Sequence, residues 1–181
     1  MRAQSIVLIG VQRVSISGKQ LGLLAAAGSA GLLMAAFFFQ ALGYAPCAMC
    51  IWQRYPHGVA IGVGLLLAIG LPILPLLITG AVSAAITAVI GVFHTGVERD
   101  WWEGPTSCTG SGLDMSNLLG ADLLPSASTG PSALVMCDQV AWEFLTLSMA
   151  SWNALWSALL TGLWLIAIAK ALRRRRVAAI S

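Results

Sequence analysis

The stretch GVAIGVGLLLAIGLPILPLLITGAVSAAITAVIGVF, Gly58 to Phe93, runs for 36 residues without one charged side chain. A single membrane-crossing helix uses about 20 apolar residues, so the run is too long for one. Gly70, Pro72 and Pro75 supply a break near its middle. Two helices joined by a tight turn must share it, and both fall short of about 20 residues unless the first of them starts early and recruits Ile51 to His57. That draws Arg54 to the edge of the hydrocarbon layer, where a charge is costly enough to need a reason.

Outward from this stretch, Leu21 to Leu42 and Phe144 to Ala169 are also uncharged. The chain reads as one integral membrane domain, residues 1–181, with spans at about 19–42, 51–70, 73–93 and 152–169. The fold class is an all-α four-transmembrane-helix bundle. Composition agrees: 58% of the residues are hydrophobic and 9% charged, against about 25% charged in a soluble domain. The net charge of +3 is not spread over a basic face, which excludes nucleic-acid binding. Eight of the ten lysines and arginines lie at the two ends (Arg2, Arg13, Lys19, Lys170 and Arg173 to Arg176), whereas all seven acids fall between Glu98 and Glu143. Positive flanks mark the cytoplasmic side. Both termini are therefore expected inside, with an even number of spans. The N-terminal 20 residues do not read as a cleavable signal, because the apolar stretch Ile6 to Val11 is too short and Arg13 and Lys19 prevent its extension.

This topology puts two loops, about 43–50 and 94–151, on the outer face, and all four cysteines fall in them. Cys47 and Cys50 form a C-x-x-C pair, while Cys108 and Cys137 stand 29 positions apart. An even count outside the cytoplasm argues for disulfides, and four cysteines permit three connectivities. Close spacing favours a bridge between Cys47 and Cys50, which would leave Cys108 for Cys137; cross-linking between the loops stays open. Both bridges could be inert staples. A four-thiolate zinc site lacks a second close pair or a C-x-x-H partner, so no metal is expected. On a helix starting at Cys47, Cys50, Arg54 and His57 fall at about 300°, 340° and 280°, so all four share a sector of roughly 80°. The positive helix N-terminus and Arg54 favour a thiolate there. Taken alone, Arg54 reads equally as a snorkelling interfacial anchor.

Pro46-Cys-Ala-Met-Cys-Ile-Trp-Gln-Arg-Tyr-Pro-His, His-Thr-Gly-Val-Glu at 94–98, Trp-Glu-Gly-Pro-Thr-Ser-Cys ending at Cys108, and Cys-Asp-Gln-Val-Ala-Trp-Glu-Phe-Leu from Cys137 together resemble the DsbB family of bacterial inner-membrane thiol:quinone oxidoreductases. The resemblance covers about Gly43 to Trp152 and the four-span outline. It implies reoxidation of a periplasmic DsbA-like thioredoxin-fold oxidase, with electrons passed to a membrane quinone, ubiquinone or menaquinone, as cofactor. It further implies that Cys108 and Cys137 form the disulfide that accepts electrons from the partner. Cys47 and Cys50 would then hand them on, with Arg54, His94 and Met149 at the quinone. Residues 110–131 depart from the family pattern, and no partner contact is carried there.

Other residues read more plainly. His57 has no family match and is expected to be structural. His94 taken alone could be an ordinary interfacial polar residue. Trp101, Trp102, Trp152 and Trp156 fall near membrane boundaries and read as anchors in the bilayer. Leu113, Leu118, Leu119, Leu123 and Leu124 could form a helix lying on the membrane. Arg173 to Arg176 read as a topology anchor. The rival from another class is a non-catalytic four-span scaffold or channel stapled by two disulfides, which leaves unexplained a C-x-x-C sharing a face with a membrane-depth arginine.

Overall fold

A computed structural model describes residues 16–105 and 136–180. Four helices carry it: α1 (Gly18–Ala41), α2 (Ala48–Ala68), α3 (Ile73–Glu98) and α4 (Met149–Ile180). Of these, α1, α3 and α4 are long and apolar enough to cross a membrane. Helix α2 has 21 residues, with Gln53, Arg54 and His57 in its first half. Two short strands, β1 (Glu143–Phe144) and β2 (Leu147–Ser148), pair antiparallel just ahead of α4. This hairpin departs from the all-helical expectation.

Helix ends follow capping chemistry rather than the apolar runs. Ser17 starts α1 with a reciprocal capping box to Gln20. Helices α1, α2 and α3 stop in the same way, with a residue of positive φ (Gly43 at 98°, Gly70 at 92°, Asp100 at 56°) whose N–H and whose successor's N–H turn back onto the last carbonyls. Asp100 donates to Val97 and Trp101 to Gly96, at 3.2 and 2.9 Å. Consequently α3 continues past Phe93 to Glu98, and His94 lies on a helix rather than in the loop expected from residue 94. Helix α4 likewise begins before residue 152 and runs beyond Ala169 through Arg173 to Arg176, because apolarity marks only the part of a helix that meets hydrocarbon. Helix α2 starts as early as the span arithmetic requires.

Each helix packs on its chain neighbours, and α1 closes on α4. The core between them holds Leu21, Ala25, Leu67, Leu77, Ala81, Leu160 and the fully buried Trp164. In lipid no hydrophobic force draws helices together, so close packing of small residues must do so. Gly64 shows this: a Cβ there would stand 2.4 Å from the Ala26 side chain. Outward positions are apolar as well, among them Leu24, Phe38, Leu65, Val82, Val89, Leu159 and Leu165, as a lipid solvent demands. At one end of the bundle Lys19 Nζ donates to the Ala68 carbonyl and Lys170 Nζ to that of Ile16. The thiols lie at the other end. The expected surface helix around Leu113 to Leu124 lies outside the described residues.

Candidate functional site

Helix α2 is capped by a cysteine. Cys47 is extended (φ −75°, ψ 172°) and its Sγ accepts the Cys50 N–H at 3.2 Å, taking the place usually filled by Ser, Thr, Asp or Asn. The Cys47 thiol also donates to Cys50 Sγ across 3.0 Å. That exceeds the roughly 2.0 Å of a disulfide, so the pair is a dithiol in contact. The hydrogen bond to Cys50, with burial, pushes the Cys47 thiol far above its ordinary range. Cys50, half-buried at the helix mouth, receives that bond and is the better placed of the two to hold negative charge.

Behind Cys47 a hydrogen-bonded chain crosses the bundle. Asn153 on α4 donates through Nδ2 to Gln53 Oε1 at 2.7 Å. Gln53 Nε2 then meets His94 Nδ1 at 2.9 Å, which leaves His94 Nε2 as the protonated nitrogen facing Cys47 Sγ at 3.5 Å. On the other side of Asn153, His57 Nε2 lies 3.0 Å from Oδ1. Thr87 Oγ1 accepts from Asn153 Nδ2 and donates to the Gln53 carbonyl. Glu98, one turn beyond His94, places a carboxylate oxygen 3.8 Å from His94 Nε2 and accepts a hydrogen bond from Ser148 Oγ. Side chains of α2, α3 and α4 thus fix the imidazole.

Arg54 turns toward α1. Its Nη1 donates to Gln40 Oε1 at 2.7 Å, its Nη2 reaches the Ala36 carbonyl at 3.5 Å, and the guanidinium lies 5.0 Å from the centre of the Phe37 ring. A mainly apolar cleft brings together Cys47, Cys50, Arg54, His94 and Met149, five of the residues named from the sequence. His57 and Trp152 line it too, although the sequence suggested a structural role for one and an anchoring role for the other. Cys137 is buried in one cluster with Cys47, Met49 and Val97, and its backbone hydrogen-bonds the His94 ring. Cys108 lies outside the described residues.

Residues 18–167 match the family model described as "Disulfide bond formation protein DsbB". The chain belongs to the DsbB family. Curated relatives named "Disulfide bond formation protein B" include those of Aromatoleum aromaticum (37% identical, covering 68% of this chain and 76% of the relative), Acidovorax sp. (31%, 83% and 86%) and Shewanella frigidimarina (30%, 79% and 85%). No solved structure gives a significant match. This DsbB family member is a multi-pass membrane protein of disulfide bond formation.

Sequence reasoning missed several residues of the candidate site in this DsbB family member. Gln53, Thr87 and Asn153 are polar positions inside helices that are otherwise apolar, which was their one available signal. Their partners lie as far as 100 positions away, and no local spacing reveals that. The two thiols and His94 also bring three metal-capable donor atoms within 4.8 Å of one another. No C-x-x-H pattern announces this, because the imidazole comes from another helix.

Proposed function

We propose that this chain is a thiol:quinone oxidoreductase of the bacterial inner membrane, with four spans in one domain (1–181), cytoplasmic termini and periplasmic cysteine loops. Its partners are a DsbA-like thiol oxidase and a membrane quinone. One observation carries the reading: a reduced dithiol, a guanidinium and a buried imidazole share a single apolar cleft walled by helices of membrane length. The cleft suits a flat apolar ring bearing carbonyl acceptors, since Leu32, Ala36, Phe39 and Trp152 give it apolar walls and Arg54 keeps N–H donors beyond those used on α1. Ubiquinone or menaquinone, bound there, supplies a sink for two electrons and two protons.

The partner's dithiol reduces the Cys108–Cys137 disulfide and leaves oxidised. Cys137, packed against Cys47, attacks the Cys47–Cys50 disulfide; a bond to Cys47 forms and Cys50 departs as thiolate. Cys108 then attacks Cys137, restoring the loop disulfide and releasing Cys47. The two electrons and two protons of the Cys47–Cys50 dithiol leave for the acceptor, and the pair closes again. In this cycle His94 holds Cys47 by hydrogen bond, Arg54 holds a carbonyl and stabilises charge developing on it, and Met149 packs the wall.

The test is quinone absorbance in the presence of excess reduced partner. Turnover by the full chain that is lost on Cys108→Ser or Cys137→Ser, with Cys47 and Cys50 still oxidisable by quinone, supports the relay. Wild-type turnover in either variant refutes the order of transfer. No turnover by the intact protein would leave the stapled scaffold or channel.

A further inference from the structure

We propose that the reduced pair Cys47 and Cys50, with His94, is a binding site for a zinc-like thiophilic cation, and that occupancy arrests the dithiol. Zinc takes Cys₂His sets with a fourth position open, with Zn–S about 2.3 Å and Zn–N about 2.0 Å, which sets sulfur–sulfur and sulfur–nitrogen separations of ~3.8 and ~3.5 Å in a tetrahedron. The 3.5 Å between Cys47 Sγ and His94 Nε2 already meets the second. The 3.0 Å between the sulfurs must open by under an ångström, and Cys50 Sγ, within 4.8 Å of the imidazole donor atom, must close on it; the half-buried Cys50 lines the cleft, and a change of its side-chain rotamer makes both adjustments.

The supporting contacts also fit. The Cys50 N–H on Cys47 Sγ stabilises a thiolate, and Gln53 on His94 Nδ1 is the outer partner that orients a metal-bound imidazole. The Glu98 carboxyl group, 3.8 Å from His94 Nε2, places a further oxygen donor beside the imidazole. Binding releases the two thiol protons. The His94 proton moves from Nε2 to Nδ1 and the Gln53 amide turns so that Oε1 accepts it; the Asn153 amide turns with it, so that its Oδ1 accepts from Gln53 Nε2 and its Nδ2 donates to His57 Nε2, whose proton shifts to Nδ1. No electron moves. With both sulfurs coordinated, neither attacks a disulfide nor gives electrons to an acceptor; this consequence rests on the redox reading above, whereas the site itself needs only thiols and imidazole.

The experiment uses the full chain in detergent micelles with Cys108 and Cys137 changed to serine, reduced, freed of reductant, and titrated with Co²⁺ and then Zn²⁺ against a chromophoric chelator. One equivalent of Co²⁺ should bind with thiolate-to-cobalt charge-transfer bands that Zn²⁺ bleaches, and the oxidised protein should show none. His94→Ala should weaken Zn²⁺ binding by tenfold or more and change the cobalt spectrum. Should that variant not fold, Cys50→Ser should lose most of the charge-transfer intensity. Absent bands in the reduced protein overturn the site, as does parental affinity in a folded His94→Ala or parental intensity in Cys50→Ser. Wild-type quinone reduction is assayed separately with and without Zn²⁺: turnover without cation binding overturns this proposal alone, and cation binding without metal-free turnover overturns the redox reading alone. Turnover that Zn²⁺ stops and a chelator restores supports both.

Discussion

Two cysteines three positions apart are chemically unequal because one of them caps the helix. Cys47 donates to Cys50 and is pushed up by that bond and by burial, so it is the harder of the two to ionise. Since only thiolate is alkylated readily, limited iodoacetamide at neutral pH should modify Cys50 before Cys47 in the reduced protein, as read by peptide mass spectrometry. Equal labelling would remove the asymmetry. Arg54 offers a second prediction at this scale. Its fork spans Gln40 and Ala36, a planar geometry that lysine cannot copy. A charged hydrogen bond is worth about 1.5–3 kcal/mol, so Arg54→Lys should raise the quinone concentration needed for half-maximal rate by on the order of tenfold. Arg54→Met should be worse, with exchange between the loop disulfide and the partner intact in both. An unchanged quinone dependence in both variants would return Arg54 to the role of interfacial anchor.

At the scale of elements, the hairpin ahead of α4 contains the most strained backbone among the described residues. Leu145 and Thr146 both have positive φ, 51° and 63°, a conformation that two-residue hairpin turns require and Asn-Gly normally supplies. External contacts hold it: Arg99 Nη2 donates to the Thr146 carbonyl and Trp152 Nε1 to that of Phe144. Replacing Leu145-Thr146 with Asn-Gly should relieve about 1–2 kcal/mol per residue and raise the midpoint of thermal aggregation in detergent; a lowered midpoint would show that the side chains matter more than the backbone. Such features were not legible in the sequence. The break at Gly70 and Pro72 and the early start of α2 were legible, because residue type and length alone dictate them. The stop of α3 at Asp100 and the hairpin were not, because both place non-glycine residues in the left-handed region, and the hairpin is further held by Arg99, 47 positions away. The same division runs through the candidate site. Cys47, Cys50 and Arg54 could be placed together by helical period, whereas the Asn153–Gln53–His94 chain joins three helices and leaves no periodic trace.

At the scale of the molecule, the positive ends predict the proposed orientation. A fluorescent protein active in the cytoplasm should fluoresce when fused after Ser181, and alkaline phosphatase fused there should stay inactive; the reverse pair of results would invert the topology. Helix α4 has a further consequence. From Met149, in the wall of the cleft, to Lys170, bonded to the start of α1, it is roughly 33 Å long at 1.5 Å per residue, close to the ~30 Å of the hydrocarbon layer. In the proposed orientation the helical continuation through Arg173 to Arg176 would meet anionic headgroups at the cytoplasmic surface, and α4 would then act as a depth gauge whose far end sets how deep the thiols sit. Quinone reduction in vesicles should therefore peak at one acyl-chain length and fall on either side, whereas a protein whose chemistry lay wholly in its outer loop would be indifferent to bilayer thickness.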